Sequence, residues 1–373
     1  MDYETPQFYR VMQYAARADR DVVDMVSGNP DWDPPAALRA GLHEYADADA
    51  SEFQYAPSRG LRDLRTQIAT RHGVDRDRVV VTNGAGEANH LAMTGGLDYF
   101  PGEEILLADP VYPYYAGRAT FLDAQTRFVP VADDGHLAPA AVRDAASEAT
   151  AVIVVNSPNN PTGAVYDRAA MAEFVAIAEE YDALLVSDEV YDRFDYSGRF
   201  ASALAADSPN VVTTSAFSKS MAITGFRVGY AVFPPADGAT GALVDDATTR
   251  HMLTNISGSR PAQYAVQRAM AETPESYYEA ARERVVARLD RFCEALDEIG
   301  AAYTRPEGGF YVMARFPEVP GTFDAVYELI DGAGVAGMPG EAFGTARESS
   351  IRFSLTTPRV DEAADRLVAY FDG

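Results

Sequence analysis

Lys219 is the only lysine in 373 residues, so all but one of the 31 Lys and Arg side chains are arginine. Arginine can replace lysine for surface charge. It cannot replace it where a neutral amine must attack a carbonyl, because the guanidinium keeps its proton. One lysine kept in a chain otherwise purged of it points to amine chemistry at that position; chance retention in an arginine-rich sequence is the other reading. Arg227 follows in Gly225-Phe-Arg-Val-Gly229. A nearby cation pushes an amine's pKa down and leaves more of the nucleophilic free base.

Three further clusters carry usable groups. Ser187-Asp-Glu-Val-Tyr191 ends an apolar run and sets a carboxylate, Asp188, three residues from a phenol, Tyr191. A helix N-cap aspartate is its structural alternative. Asn156-Ser-Pro-Asn-Asn-Pro-Thr-Gly163 follows another apolar run; its prolines and glycine fix a loop that presents amide side chains. Gly84-Ala-Gly86 lies between a strand-like run and a helical one. Asn89 stands where a dinucleotide fingerprint needs its third glycine, so that reading is weak. Free N–H groups at a helix start suit a phosphate, and a ligand-free turn is the alternative.

The elements that must position these groups are visible as periodicity. Short apolar runs at 78–82, 104–108, 151–156, 183–188, 211–215 and 228–232 alternate with helical stretches at 36–48, 61–72, 167–181 and from residue 86 to about 97. Such alternation predicts a mainly parallel sheet covered on both faces, with ligands at the carboxyl edge of its strands. Beyond residue 260 the pattern changes. Helices are expected at 261–270, 275–299, 323–331 and 360–370, with strands at 310–314 and 351–355, as in a smaller α+β unit.

Composition narrows the partners. A net charge of −25, spread along the chain, is repelled by nucleic acid and by anionic lipid. It also suggests a salt-adapted, halophilic surface. No apolar run approaches a membrane span, and the acidic start lacks the pattern of a secretory signal. Cys293 is the single cysteine, read as a packing residue, and a cytoplasmic setting is expected. The five histidines show no ligand spacing, so no metal is expected.

Taken in order, these motifs resemble the fold-type I, pyridoxal-phosphate-dependent class I/II aminotransferases. The resemblance runs from Ser27-Gly-Asn-Pro30 to Ile351-Arg-Phe-Ser354. It implies an α/β fold with a large domain, whose mostly parallel seven-stranded sheet is flanked by helices, plus a smaller α+β domain. The implied division is an N-terminal arm with part of the small domain at 1–40, a cofactor domain at 41–270 and a C-terminal domain at 271–373. It implies pyridoxal 5′-phosphate as cofactor and an amino acid and a 2-oxo acid as substrates. Lys219 matches the lysine that forms a Schiff base with the cofactor and shuttles a proton. Asp188 matches the partner of the ring nitrogen, Tyr191 and Asn160 those of the ring oxygen, and Tyr112 the ring stacked on the cofactor. Gly84, Ala85, Gly86 and Arg227 match the phosphate site. Arg352 matches the fork for the substrate carboxylate, and Gly28 a backbone contact to substrate.

Tyr55 is similar to a tyrosine that reaches the neighbouring subunit's phosphate, which implies a homodimer with shared sites. Ala216 stands where the family often has serine, so Ser218 or Ser215 is the expected phosphate hydroxyl. Arg260 is either a reader of the substrate side chain or one more surface arginine. Phe8, Tyr9, Tyr14 and Trp32 are either lining or core. Carbon–sulfur β-lyases and decarboxylases share these motifs and stand as the alternative activity. A regulatory protein on the same fold is a further alternative, but no residues are left over for a DNA-binding segment.

Overall fold

The computed structural model describes residues 7–235, 240–317 and 319–372. The first six residues of the expected N-terminal arm lie outside the described residues. Seven strands form one sheet in the order Val79–Thr82, Gly229–Val232, Val211–Ala216, Leu184–Asp188, Thr150–Asn156, Glu104–Asp109, Gln125–Pro130. Gly229–Val232 runs antiparallel to both of its neighbours, and the other pairings are parallel.

The central strands are apolar because both faces are covered. Along Thr150–Asn156, Val152 and Val154 pack on one side with Leu91 and Met93 of the helix Ala85–Tyr99. Ile153 and Val155 pack on the other with Phe174 and Ile177 of the helix Arg168–Glu180. This is the two-residue alternation of a pleated strand. The expected strands and helices are present, with ends shifted by a residue or two. The edge strand Gln125–Pro130 has no apolar run to announce it. It is largely exposed, and its Arg127 Nε donates to Glu104 Oε2 at 2.8 Å. The helices Gln7–Ala15, Pro113–Phe121, Pro139–Ala145 and Leu243–Asn255 were also not evident from periodicity.

A second sheet is wholly antiparallel, in the order Met338–Pro339, Ile351–Ser354, Tyr311–Arg315, Ala302–Tyr303. The helices Glu275–Ile299, Phe323–Ala333 and Val360–Asp372 share its core, which includes Phe292, Leu296, Val312, Phe353 and Leu367. Cys293 is buried on the long helix, which stops at Gly300 in the left-handed conformation, φ +75°. The N-terminal segment joins this unit, because Val23–Asp24 pairs in parallel with Val335–Ala336. Among the described residues no helix is long and apolar enough to cross a membrane. Likewise no group of three His, Cys, Asp or Glu side chains is placed to hold a metal ion.

Phe292 and Phe353 are fully buried with ring centroids 5.2 Å apart. Truncating such a ring removes transfer energy and leaves a cavity. Phe292→Ala should therefore lower the unfolding free energy by about 3–5 kcal/mol, measured by urea titration. A loss under about 1 kcal/mol would contradict this packing.

Candidate active site

The carboxyl ends of the parallel strands face the smaller sheet across a cavity of about 450 Å³. At its floor Asp188 ends the strand Leu184–Asp188 and is buried. Its Oδ2 accepts hydrogen bonds from Asn89 Nδ2 and from the Tyr115 hydroxyl, both at 2.6 Å. Its Oδ1 accepts from the Val190 N–H at 3.1 Å. Burial raises the pKa of this carboxyl, and the hydrogen bonds from Tyr115 and Asn89 oppose that rise. The Asp188 carbonyl accepts from Asn156 Nδ2 at 2.9 Å, and Asn156 Oδ1 in turn accepts from the Asn160 N–H at 2.8 Å. The amide-rich loop is thereby pinned to the strand end.

The turn at Gly84 is a single residue at φ +78°, and Ala85 and Gly86 already begin the helix Ala85–Tyr99. A Cβ on Gly84 would collide with the Arg227 guanidinium, and one on Gly229 with the backbone of Gly84 and Ala85. The two glycines let the cation and the neighbouring strand close on the helix N-terminus. Arg227 itself adopts a left-handed conformation, φ +56°, and donates to the carbonyls of Thr224 at 2.8 Å and Asn83 at 3.3 Å. Glu87, one turn into the helix, accepts from the Asn83 N–H at 2.6 Å and from His251 Nδ1 at 2.8 Å, which braces the turn from behind.

Lys219 sits on the short helix Phe217–Ser220, which follows the strand Val211–Ala216. Its Nζ enters the cavity and donates to the Gly28 carbonyl at 2.6 Å. Burial lowers its pKa, and the Arg352 and Arg227 cations act in the same direction. Ser218 lines the cavity, whereas the Ser215 hydroxyl lies 3.4 Å from the Glu189 carbonyl and does not. Of the two serines, only Ser218 is placed at the site.

Arg352 comes from the antiparallel sheet. It is almost fully buried, donates to Asn160 Oδ1 at 3.1 Å and to the Val26 carbonyl at 2.6 Å, and has no partner for its Nε. Its guanidinium carbon lies 4.2 Å from the Tyr311 ring centre. Burial lowers its pKa. The Tyr191 and Tyr311 hydroxyls are 3.1 Å apart, and burial raises the Tyr191 pKa well above its ordinary value. Tyr112 is half-buried at the wall of the cavity and stacks on Tyr114 at 4.9 Å.

The charge balance of this cavity inverts that of the chain. Lys219, Arg118, Arg227 and Arg352 line it, and Asp188 is the single acid among the described lining residues. Arg118 donates to the Tyr114 carbonyl at 3.0 Å. None of the three arginines has a carboxylate partner among the described residues, in a protein with a net charge of −25. Leaving cations unpaired among so many acids is unfavourable unless anionic ligands supply the partners.

Two expected residues lie elsewhere. Tyr55 is 73% exposed, outside this cavity, at a separate hollow of about 750 Å³. Arg260 lines the same hollow; it pairs with Glu52 and donates to the Tyr55 carbonyl at 3.3 Å, so within this chain it braces the Tyr55 segment. Among the N-terminal aromatics, Phe8 and Tyr9 line the cavity. Tyr14 instead stacks on Tyr327 at 4.1 Å, and Trp32 is buried beside Phe194.

Asn89, Tyr115 and Tyr311 are not among the site residues the sequence points to, although all three line the cavity. Asn89 offered a signal as a polar residue on the buried face of a helix. Tyr115 stood in the aromatic run after Val111. Tyr311 offered none, because its place depends on how the two sheets meet.

Glu189 turns away from the cavity. Its Oε1 accepts from the Ser187 hydroxyl at 3.0 Å, the Ser202 hydroxyl at 3.0 Å and the Ala203 N–H at 2.9 Å. Burial pushes its pKa up from 4.5 to about 7. The folded state thus holds this proton more tightly than the unfolded one. The associated stability is complete below pH 4.5 and is lost as pH rises through about 7. Relative to Glu189→Gln, the wild type should lose melting temperature between pH 4.5 and 8. A difference that does not change with pH would contradict the assignment.

Comparison with known proteins agrees with this geometry. Residues 20–367 match the family model for aminotransferase class I and II. A probable aspartate/prephenate aminotransferase of Thermus aquaticus is 31% identical over 93% of this chain and 90% of its own length. An aromatic-amino-acid aminotransferase 2 of Thermococcus litoralis is 27% identical, covering 98% and 96%. A double mutant of Thermus thermophilus aspartate aminotransferase superposes with a TM-score of 0.90 at 28% identity, over 99% of this chain and 97% of that one. With its one lysine aimed into a cation-lined cavity at the strand ends, the chain belongs to the class I and II aminotransferases.

Proposed function

We propose that this enzyme moves the amino group of an L-amino acid to a 2-oxo acid, with 2-oxoglutarate as an acceptor, at the cavity that holds Lys219. One observation carries the residue assignments: the sole lysine projects its amine among three arginines that lack carboxylate partners among the described residues, opposite one buried carboxylate. The named aminotransferase relatives favour transamination over lyase or decarboxylase chemistry.

The family's cofactor is pyridoxal 5′-phosphate, and the residues present fit it. The bare Gly84 turn, the free N–H groups of the helix start, Ser218 and Arg227 would hold the phosphate. Asp188 would face the ring nitrogen, Asn160 and Tyr191 the ring oxygen, and Tyr112 one face of the ring. When bound, the cofactor supplies an aldehyde that condenses with amines and a ring that delocalises the electron pair left by the α-proton.

The chain's own residues would do the rest. Arg352 forks the substrate α-carboxylate, satisfying its free Nε side. Asn160 and the Val26 carbonyl hold that guanidinium at a fixed angle. Lys219, leaving the Gly28 carbonyl, takes the proton from the substrate Cα. Its lowered pKa keeps the free amine available. Asp188, buried and steadied by Asn89 and Tyr115, would hold a proton on the cofactor's ring nitrogen.

The same reading makes the molecule a cytoplasmic homodimer with shared sites. Tyr55 supports this by standing exposed beside Phe53, which is 56% exposed, and so too does Leu253, at 85%. We also propose that the sheets define its domains, 41–270 around the large sheet and 271–373 around the small one, with the segment before residue 41 joining the latter.

Two experiments test these assignments. Lys219→Arg keeps the charge and should abolish turnover; near-normal activity would overturn the role of Lys219. Sedimentation should give twice the mass of one chain, and Tyr55→Ala should raise the cofactor dissociation constant by about tenfold, a loss of about 1.4 kcal/mol. A monomer that keeps full cofactor affinity would refute the shared site.

A further inference from the structure

Resting on the assignment of Arg352 to the α-carboxylate, we propose that the preferred amino donors carry aromatic or bulky apolar side chains, held in a box built from Phe8, Tyr9, Met12, Tyr112 and Tyr114. The box begins at the anchor itself. The Arg352 guanidinium carbon lies 5.1 Å from the Phe8 ring centre. Phe8 in turn lies 6.2 Å from both the Tyr112 and the Tyr114 rings, and those two stack on each other at 4.9 Å and 25°. A side chain leaving the carbon next to a carboxylate held by Arg352 enters this ring-lined space. Aromatic rings meet favourably edge-to-face or offset at these separations.

The helix Gln7–Ala15 is built to present that wall. Phe8 and Met12 are four residues apart and share the face toward the cavity. Arg10 and Tyr14 share the opposite face. The Arg10 guanidinium lies 4.1 Å over the Phe323 ring, Tyr14 stacks on Tyr327 at 4.1 Å, and its hydroxyl donates to Asp331 Oδ2 at 2.7 Å. The outer face is thus fastened to the helix Phe323–Ala333, and Phe8 is held in place.

Among the described residues no charged side chain belongs to the box. Arg118 lines the same cavity and could in principle meet a second substrate carboxylate. Its guanidinium, however, donates to the Tyr114 carbonyl, and a Cβ on Gly86 would lie 3.0 Å from its Nη2, which places it toward the turn. Meanwhile Tyr9 is 57% exposed, Met12 40% and Tyr114 37%, an apolar rim that a large side chain would cover.

The test uses purified holoenzyme and single amino acids without an oxo acid, following the cofactor's visible absorbance. The wild type should give a kcat/KM for L-phenylalanine at least about tenfold above that for L-aspartate, the scale a well-matched pocket provides. Phe8→Ala should lower the ratio of L-phenylalanine to L-alanine kcat/KM by about tenfold, chiefly through KM, and Phe8→Leu should restore much of it. A wild type that prefers L-aspartate would overturn the proposal, as would a Phe8→Ala loss equal for both amino acids. Conversion of no amino acid at all would instead overturn the transamination reading on which this one rests.

Discussion

A carboxylate buried at a sheet end is costly, and the architecture around Asp188 is organised to hold one. Its oxygens take hydrogen bonds from Asn89 on one helix, Tyr115 on another and the backbone of its own chain. Its carbonyl ties down Asn156 and Ser157 of the amide-rich loop. A single residue therefore joins the central strand, two covering helices and the loop that carries Asn160. A negative group fixed there, with its hydrogen bonds satisfied, suits a partner such as a protonated ring nitrogen.

Across the cavity the second sheet supplies what the first cannot. The large sheet offers strand ends, a helix N-terminus and Lys219. The antiparallel sheet offers Arg352 and Tyr311, and the N-terminal segment offers Gly28 and Phe8. They meet through polar contacts, Arg352 to Asn160, Tyr191 to Tyr311 and Lys219 to Gly28, and through ring contacts such as Phe310 with Tyr191 and Phe8 with Tyr112. At Gly28 a Cβ would collide with the Tyr311 hydroxyl, so this close approach needs glycine. The site exists only where these three parts meet.

The contrast between surface and cavity follows from the same economy of charge. Most arginines of the chain are tied into ion pairs, such as Arg288 with Asp31 at 2.7 Å and Arg193 with Glu275 at 2.9 Å. Those in the cavity have no carboxylate partner among the described residues. An acid-rich exterior repels anions in general, while a narrow cationic cleft concentrates field lines and draws them to one place.

Much of this was legible in the chain. The lone lysine, the Asp–Tyr spacing and the loop of amides and prolines are local features. The parallel sheet follows from apolar runs that repeat between helices, because a strand covered on both faces must be apolar at every position. Sequence alone determined that one lysine would stand among these motifs, with ligand sites expected at the carboxyl ends of such strands. It did not reveal Tyr311, nor which of Phe8, Tyr9, Tyr14 and Trp32 would line the cavity, nor that Arg260 would be neutralised by Glu52 while Arg352 has no carboxylate partner among the described residues. It left Ser215 and Ser218 equivalent, and only the short helix Phe217–Ser220 turned one of them into the cavity. Those outcomes depend on contacts between residues hundreds of positions apart, and a charge's environment is set by what packs against it, which no local pattern records.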